Sequence, residues 1–403
     1  MRYGRKSLNG LDGKGRIGLA CHASRFVVAA AVWGSLIFVS SPQWSREGES
    51  NVFSGVVCAA EMPEVLVASP PEGCRPVVAR SDSRGVIHLA MDSAQGPRYA
   101  RSENGGRSFS KPMPILDESP RPEGLEFAVW DMVIGPQGHV HVALHNNAWK
   151  LKLPKEEWGF FYARLDPAAT AFSAVANINK TPSEGFSLAA DARGNVTAVW
   201  LADKLYANVS HDHGKSFGAT QEISTEFDPC NCCTTSATYG ADGRLAILYR
   251  EETNNDRDMF LVLWDQSNGT VSRRPVSTVN WKIDRCPMTY YSVVPDGDGY
   301  VAAWPTQKAI YFAKLNKEGL LMGPAETKTP GQTGMRTGIL ALPGSQGASL
   351  VVWNHEDKLG WQLYDAQSRP VGPAGVGKAA GKGAAAVAGA NGKFVVFAEA
   401  AGR

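Results

Sequence analysis

Seven cysteines stand in this chain of 403 residues, and four of them fall in two short clusters. "FDPCNCCTTS" carries Cys230, Cys232 and Cys233, and "DRCPMTYY" carries Cys286 beside Met288. Thiols so spaced can do three things. Cys286 can bridge to one member of the triplet, or Cys232 and Cys233 can form a vicinal disulfide. Three or four thiolates with Met288 can hold a soft ion, copper or zinc. A redox-active pair is the third reading. C-x-C-C is not a zinc-ribbon spacing, and no cofactor is otherwise expected.

A second set is ionic. Arg75, Arg250, Arg285 and Arg336 are spread widely along the chain. A guanidinium grips a carboxylate through two parallel hydrogen bonds, so arginines gathered at one place would recognise an acidic ligand. The bland reading of each is a surface or ion-paired residue. The eight histidines show no metal triad. His139 and His141 alternate along one expected strand, facing outward or packing, and His211 and His213 sit in an expected solvated turn.

What would gather these residues is a repeat. Seven times a Gly beside polar residues precedes an alternating apolar run that often ends in an aromatic. The copies begin at Gly85, Gly138, Gly194, Gly243, Gly299, Gly347 and Gly392, at spacings of 53, 56, 49, 56, 48 and 45 residues. Period-two alternation makes each unit an antiparallel hairpin. Four-stranded units of this length close radially, so the expected fold is an all-β β-propeller of seven blades, with six as the alternative. The seventh hairpin, near 384–398, leaves no room for outer strands of its own. "PEVLVAS" at 63–69 would supply one and close the ring.

Within a blade, the loop before the innermost strand and the loop after the second strand share one face. The first set offers Arg75, Trp130, Asp131, Glu184, Cys232, Cys233, Arg285, Cys286 and Arg336. The second offers Asp92, His145, Asn146, Asp203, Arg250, Glu251, His355 and Glu356. Polar groups converging at the end of such a channel make the default binding site. Adjacent blades would also set the two cysteine loops side by side.

Two segments carry a resemblance. "SENGGRSF" (102–109) and "SHDHGKSF" (210–217) fit Ser-x-Asp/Asn-x-Gly-x-Ser/Thr-Trp/Phe, which resembles the Asp box of the sialidase-type, BNR-repeat propellers. Physically this is a tight turn: Asn104 or Asp212 caps backbone N–H groups and the closing aromatic packs between sheets. "YRE" at Tyr249–Glu251, with Arg257 and Asp258, is similar to segments of exported BNR-repeat proteins. The resemblance covers roughly 63–403. It implies an arginine triad for a sugar carboxylate, with Arg75, Arg250, Arg285, Arg336 and His355 as the ligand-binding candidates. It also implies a Tyr nucleophile (Tyr290 or Tyr291), a carboxylate partner (Glu184 or Glu251) and a general acid (Asp92 or Asp131). Where the family opens with an aromatic, Arg, Ile and Pro, this chain reads "CRPVV" at 74–78.

The remaining expectations concern address and partners. Basic residues precede "FVVAAAVWGSLIFV" at 26–39, so residues 1–45 read as a signal peptide or membrane anchor, 46–62 as a linker and 63–403 as one domain. Both readings export the body, and cysteine usage agrees. A net charge of +2 without a long basic run argues against nucleic acid. The expected partner is a glycan or small acidic ligand, met by a monomer with a possible membrane tether. The function that follows is glycan recognition, with sialidase-like hydrolysis as an extension. A non-catalytic scaffold and a metal or redox protein built on the cysteines are the alternatives.

Overall fold

A computed structural model describes residues 62–399 except 224–227, 382, 390 and 391. The expected leader over 1–45 lies outside the described residues. Among those described there is no α-helix, and no helix long and apolar enough to cross a membrane.

The chain forms seven sheets. The innermost strands are Cys74–Ser81, Phe127–Ile134, Glu184–Ala190, Thr235–Tyr239, Ser292–Asp296, Ile339–Pro343 and Ala386–Ala388. Each contacts the innermost strands on either side, and the last contacts the first. The result is a closed ring of seven blades, and the six-blade alternative falls.

Two features of the repeated phrase build it. The Gly opens the turn into the second strand at positive φ in six copies, +91° at Gly194 for example, where a side chain would be strained. The fifth copy differs. Gly297 takes the left-handed turn, and Gly299 begins the strand Gly299–Thr306, where an added Cβ would meet the Leu315 carbonyl. The second feature is a bulky residue at or near the end of each second strand. Trp200, Tyr249, Trp304, Trp353 and Phe397 are all buried between sheets, as are Met91 and Leu144 in the first two blades. Burial of each such side chain stabilises the fold by about 2 kcal/mol.

Blade seven closes the ring. Val65–Ala68 pairs with Phe394–Phe397, joining the start of the domain to its end. The pairing is parallel, whereas blades one to six are antiparallel throughout. The Phe394 N–H donates to the Glu64 carbonyl at 2.8 Å, and the Ala398 N–H to the Ala68 carbonyl at 3.1 Å.

The two Ser-to-Phe turns behave as their composition requires. The Gly214 N–H donates to Ser210 Oγ at 2.9 Å, and the Ser216 N–H to Asp212 Oδ1 at 2.9 Å. Although desolvation pushes the Asp212 carboxyl up, bonds from Ser216, Ser210 and Lys215 hold it well below the usual carboxylate range. Ser102 and Asn104 cap the first turn in the same way. Phe217 packs edge-on against Tyr162 of blade two, and Phe109 against Phe397 of blade seven. Both turns are therefore clamps between neighbouring blades. His213 is not solvated as expected: it is half-buried and stacks on His139, with ring centroids 4.7 Å apart.

Deleting residues 62–68 should leave Phe394–Phe397 as an unpaired edge and cost on the order of 3 kcal/mol. The check is a urea unfolding curve read beside limited proteolysis of the C-terminal blade.

Candidate functional site

A cavity of about 650 Å³ opens at one end of the channel. Its wall includes Arg75, Asp92, Trp130, His145, Tyr290, Arg336 and Glu356. A second cavity of about 660 Å³ adjoins it and adds Trp149, Trp158, Glu184 and Asp203. Trp130, His145, Phe186 and Arg336 border both.

Trp130 organises the shared wall. It meets His145, Phe186 and Tyr290 edge-on at centroid distances of 5.1, 5.3 and 5.7 Å. Blades two, three and five are thereby joined in one aromatic surface. Burial pulls the His145 imidazole down to about 4, helped by Arg336 and Lys150 nearby. Burial also pushes the Tyr290 phenol up to about 12; Arg336 pulls against this and Glu184 adds to it. The Glu184 and Asp92 carboxyls are likewise raised by desolvation, offset by Arg336 and Arg75 respectively.

The arginine candidates separate. Arg75 and Arg336 line the cavity, are exposed, and form no ion pair with any described carboxylate. Arg250 does not reach it. Its side chain is 0 % exposed, bonded to the carbonyls of Arg257 and Pro305 and stacked 4.9 Å from the Trp281 ring centroid. Arg285 lies in open solvent, 3.9 Å from Asp284, and lines neither cavity. His355 lines neither cavity and sits 3.9 Å from Glu356. Arg80, unforeseen, does reach the channel wall, but Asp131 holds it at 3.1 Å.

The carboxylate and tyrosine candidates separate too. Glu251 is buried, accepts a 2.8 Å bond from Tyr249 and pairs with Arg273, away from both cavities. Tyr291 is locked: its hydroxyl donates to the Thr234 carbonyl and accepts from the Arg250 N–H at 3.0 Å. Tyr290 lines the first cavity and Glu184 the second, and no hydrogen bond joins them among the described residues.

Asp131 is a structural acid. It accepts from the Leu188 N–H of blade three at 2.9 Å, from the Met132 N–H at 2.8 Å, and pairs with Arg80. Asp92 does the same for blade two, accepting from the Val129 N–H at 2.9 Å. Ser236 accepts from the Val293 N–H at 3.0 Å and Ser292 from the Ala341 N–H at 2.9 Å. Ser187 bonds Thr235 side chain to side chain at 2.7 Å. These links escaped the sequence reading, yet they carry a mark. Asp131, Ser187, Ser236 and Ser292 each stand seven residues before a repeat Gly: Gly138, Gly194, Gly243 and Gly299.

The cysteine loops do come together. Cys232 and Cys286 form a disulfide, so the bridge expected from Cys286 exists and the vicinal Cys232–Cys233 bond does not. Cys230 and Cys233 stay as thiols with their sulfurs 3.3 Å apart.

No family model and no curated protein matches the chain. Among solved structures it is similar to an α-L-arabinanase of Penicillium chrysogenum complexed with arabinobiose (14% identity, 76% of this chain and 98% of that one, TM-score 0.48). It is similar to the fucose-specific lectin of Aleuria aurantia (12% identity, 76% and 95%, TM-score 0.48). A leech intramolecular trans-sialidase is a third (10% identity, 73% and 68%, TM-score 0.44). These likenesses assign no chemistry to this chain. The strand order shows a seven-bladed propeller, and the cavity lining gives it an aromatic mouth with two arginines.

Asp131→Ala should lower stability by about 2 kcal/mol, because the Leu188 N–H loses its partner. The urea midpoint checks it. His145 sets a pH dependence. Its folded-state value lies below the ordinary 6.5, so the unfolded chain takes the proton first. Stability should fall as pH drops from about 6.5 towards 4, and His145→Asn should flatten that slope in midpoints measured across the range.

Proposed function

We propose that this is an exported propeller that recognises an acidic glycan, or a small acidic ligand of similar shape, at the Trp130–Arg336 mouth. One observation carries the reading. Arg75 and Arg336, from blades one and six, face a single cavity with no carboxylate paired to either. Guanidinium groups left open in this way suit a carboxylate that arrives with the ligand. The Trp130, His145 and Tyr290 rings beside them offer apolar faces for the flat side of a sugar ring. Glu184, Asp203 and Glu356 stand at the rims as acceptors for hydroxyl groups.

Hydrolysis of a glycosidic bond is the second reading, and Asp92 favours it. Its carboxyl lines the cavity with a raised proton affinity, which suits a general acid. Tyr290 with Glu184 would then serve as nucleophile and base. The Tyr290 phenol at about 12 needs a carboxylate to take its proton, and the bound ligand would have to draw Glu184 in.

Calorimetry with 3′-sialyllactose, and with lactose as the neutral control, tests the first reading. Arg336→Ala and Arg75→Ala should each weaken binding of the acidic sugar about tenfold or more. Equal affinity for lactose, or variants that bind as the parent does, would remove it. Arg250→Ala should instead lower stability, since that guanidinium is interior. Turnover of a fluorogenic sialoside, lost in Asp92→Asn, would establish the second reading.

A further inference from the structure

Blades four and five hold a second centre that the glycan reading does not use. Cys230 and Cys233 lie on one tight turn, with the Cys233 N–H donating to the Cys230 carbonyl at 3.0 Å. This C-x-x-C turn points both sulfurs at Cys286. The Sγ–Sγ separations among Cys230, Cys233 and Cys286 are 3.3, 3.4 and 3.7 Å. These three sulfurs all lie within 4.8 Å of one another, and Cys232, bonded to Cys286, adjoins them as a fourth that its release from the disulfide would free to turn in. Sulfurs at the corners of a tetrahedron around an ion with about 2.3 Å bonds lie about 3.8 Å apart. The three contacts approach that spacing. The Met288 N–H donates to Cys286 Sγ at 3.4 Å, and Arg257 Nη1 to Cys230 Sγ at 3.0 Å. Both donors are aimed at sulfur, as second-sphere donors to metal-bound thiolates are.

The surrounding charge points the same way. Arg250 is 0 % exposed, its Nε has no hydrogen-bond partner, and no described carboxylate pairs with it. A buried guanidinium satisfied only by carbonyls leaves a full charge uncompensated, which is costly. The cysteine turn lies against it: the Cys230 N–H donates to the Arg250 carbonyl at 2.8 Å. Neutral thiols and a disulfide give Arg250 and Arg257 nothing to balance. Four thiolates around a divalent ion carry a net charge of −2 and match the two guanidiniums.

We infer that Cys230, Cys232, Cys233 and Cys286, when reduced, bind one Zn²⁺ ion tetrahedrally between blades four and five. Reaching that state requires a two-electron reductant, such as a dithiol. The dithiol gives two electrons and two protons to the Cys232–Cys286 bond and becomes a disulfide itself. Four thiols result. On binding they release four protons to solvent and form four zinc–sulfur bonds. The disulfide form and the zinc form are then two states of one centre, which would stitch the approach loops of neighbouring blades in either condition.

The full chain, reduced with a phosphine under anaerobic conditions and stripped with a chelator, is titrated with Co²⁺ and then Zn²⁺. The expected result is one Co²⁺ per chain, with the strong thiolate charge-transfer and tetrahedral d–d bands of a four-sulfur site, displaced by one equivalent of Zn²⁺. Cys230→Ser with Cys233→Ser should abolish those bands. Arg257→Gln should weaken Zn²⁺ binding about tenfold at unchanged circular dichroism. Absent bands, an octahedral spectrum, or equal bands in the double variant would overturn the inference. The parent spectrum counts sulfurs by its intensity, so a double variant that fails to fold leaves the test standing.

Discussion

The innermost strand of a propeller blade is an edge strand, and the rest of this molecule answers to that fact. One side of its backbone is paired within the blade. The other faces the channel with N–H groups that must be satisfied. Here a neighbouring blade satisfies them. Asp92, Asp131, Ser236 and Ser292 each accept a bond from the N–H of the next blade's innermost strand. Each link closes an open edge and fixes the angle between two sheets at once. Aromatic residues at the ends of the second strands fill the space behind the links, but they are non-directional and could not set that angle alone.

Ring closure then decides which charges are available for function. Asp131 is spent on the Leu188 N–H and on Arg80, so neither member of that pair is free for a ligand. Asp92 is bound through one oxygen and keeps a face on the cavity. The guanidinium groups of Arg75 and Arg336 belong to no link, although the Arg336 N–H donates to the Met288 carbonyl at 2.8 Å. The mouth therefore separates groups that hold the ring from groups that wait for a partner. The second set includes the guanidinium groups of Arg75 and Arg336.

The fold was legible because its period is carried by chemistry that cannot be replaced cheaply. A left-handed turn wants Gly, as at Gly194, and a half-buried hairpin wants alternation. The site was legible only as a rim. A position just past a strand says which end of the channel a residue occupies, and not which way its side chain points. Arg250 ends the regular strand Leu245–Arg250 and Glu251 follows it, and both turn inward between sheets, while Arg336, on a left-handed residue, turns into the mouth. Register shifts in the innermost strands of the first three blades, at Pro76/Val78, Val129/Asp131 and Glu184/Ser187, add a further half-period that no alternation rule anticipates. The polar residue seven places before a repeat Gly was readable, and it would have marked Asp131 as a link instead of an acid.

Arg250 shows why burial must be read together with charge. At the rim of a propeller it resembled a ligand anchor, and in the structure it is one of the largest fully buried side chains. An interior guanidinium held by backbone carbonyls and stacked on Trp281 persists only if something nearby carries the opposite sign. No described carboxylate forms an ion pair with it, and the cysteine turn lies against its backbone. The misplacement of one arginine and the crowding of four cysteines are thus a single electrostatic fact. The blade-four loop brings its thiols to the place where a cation is already fixed, and the cation in turn favours whichever state of those sulfurs is anionic.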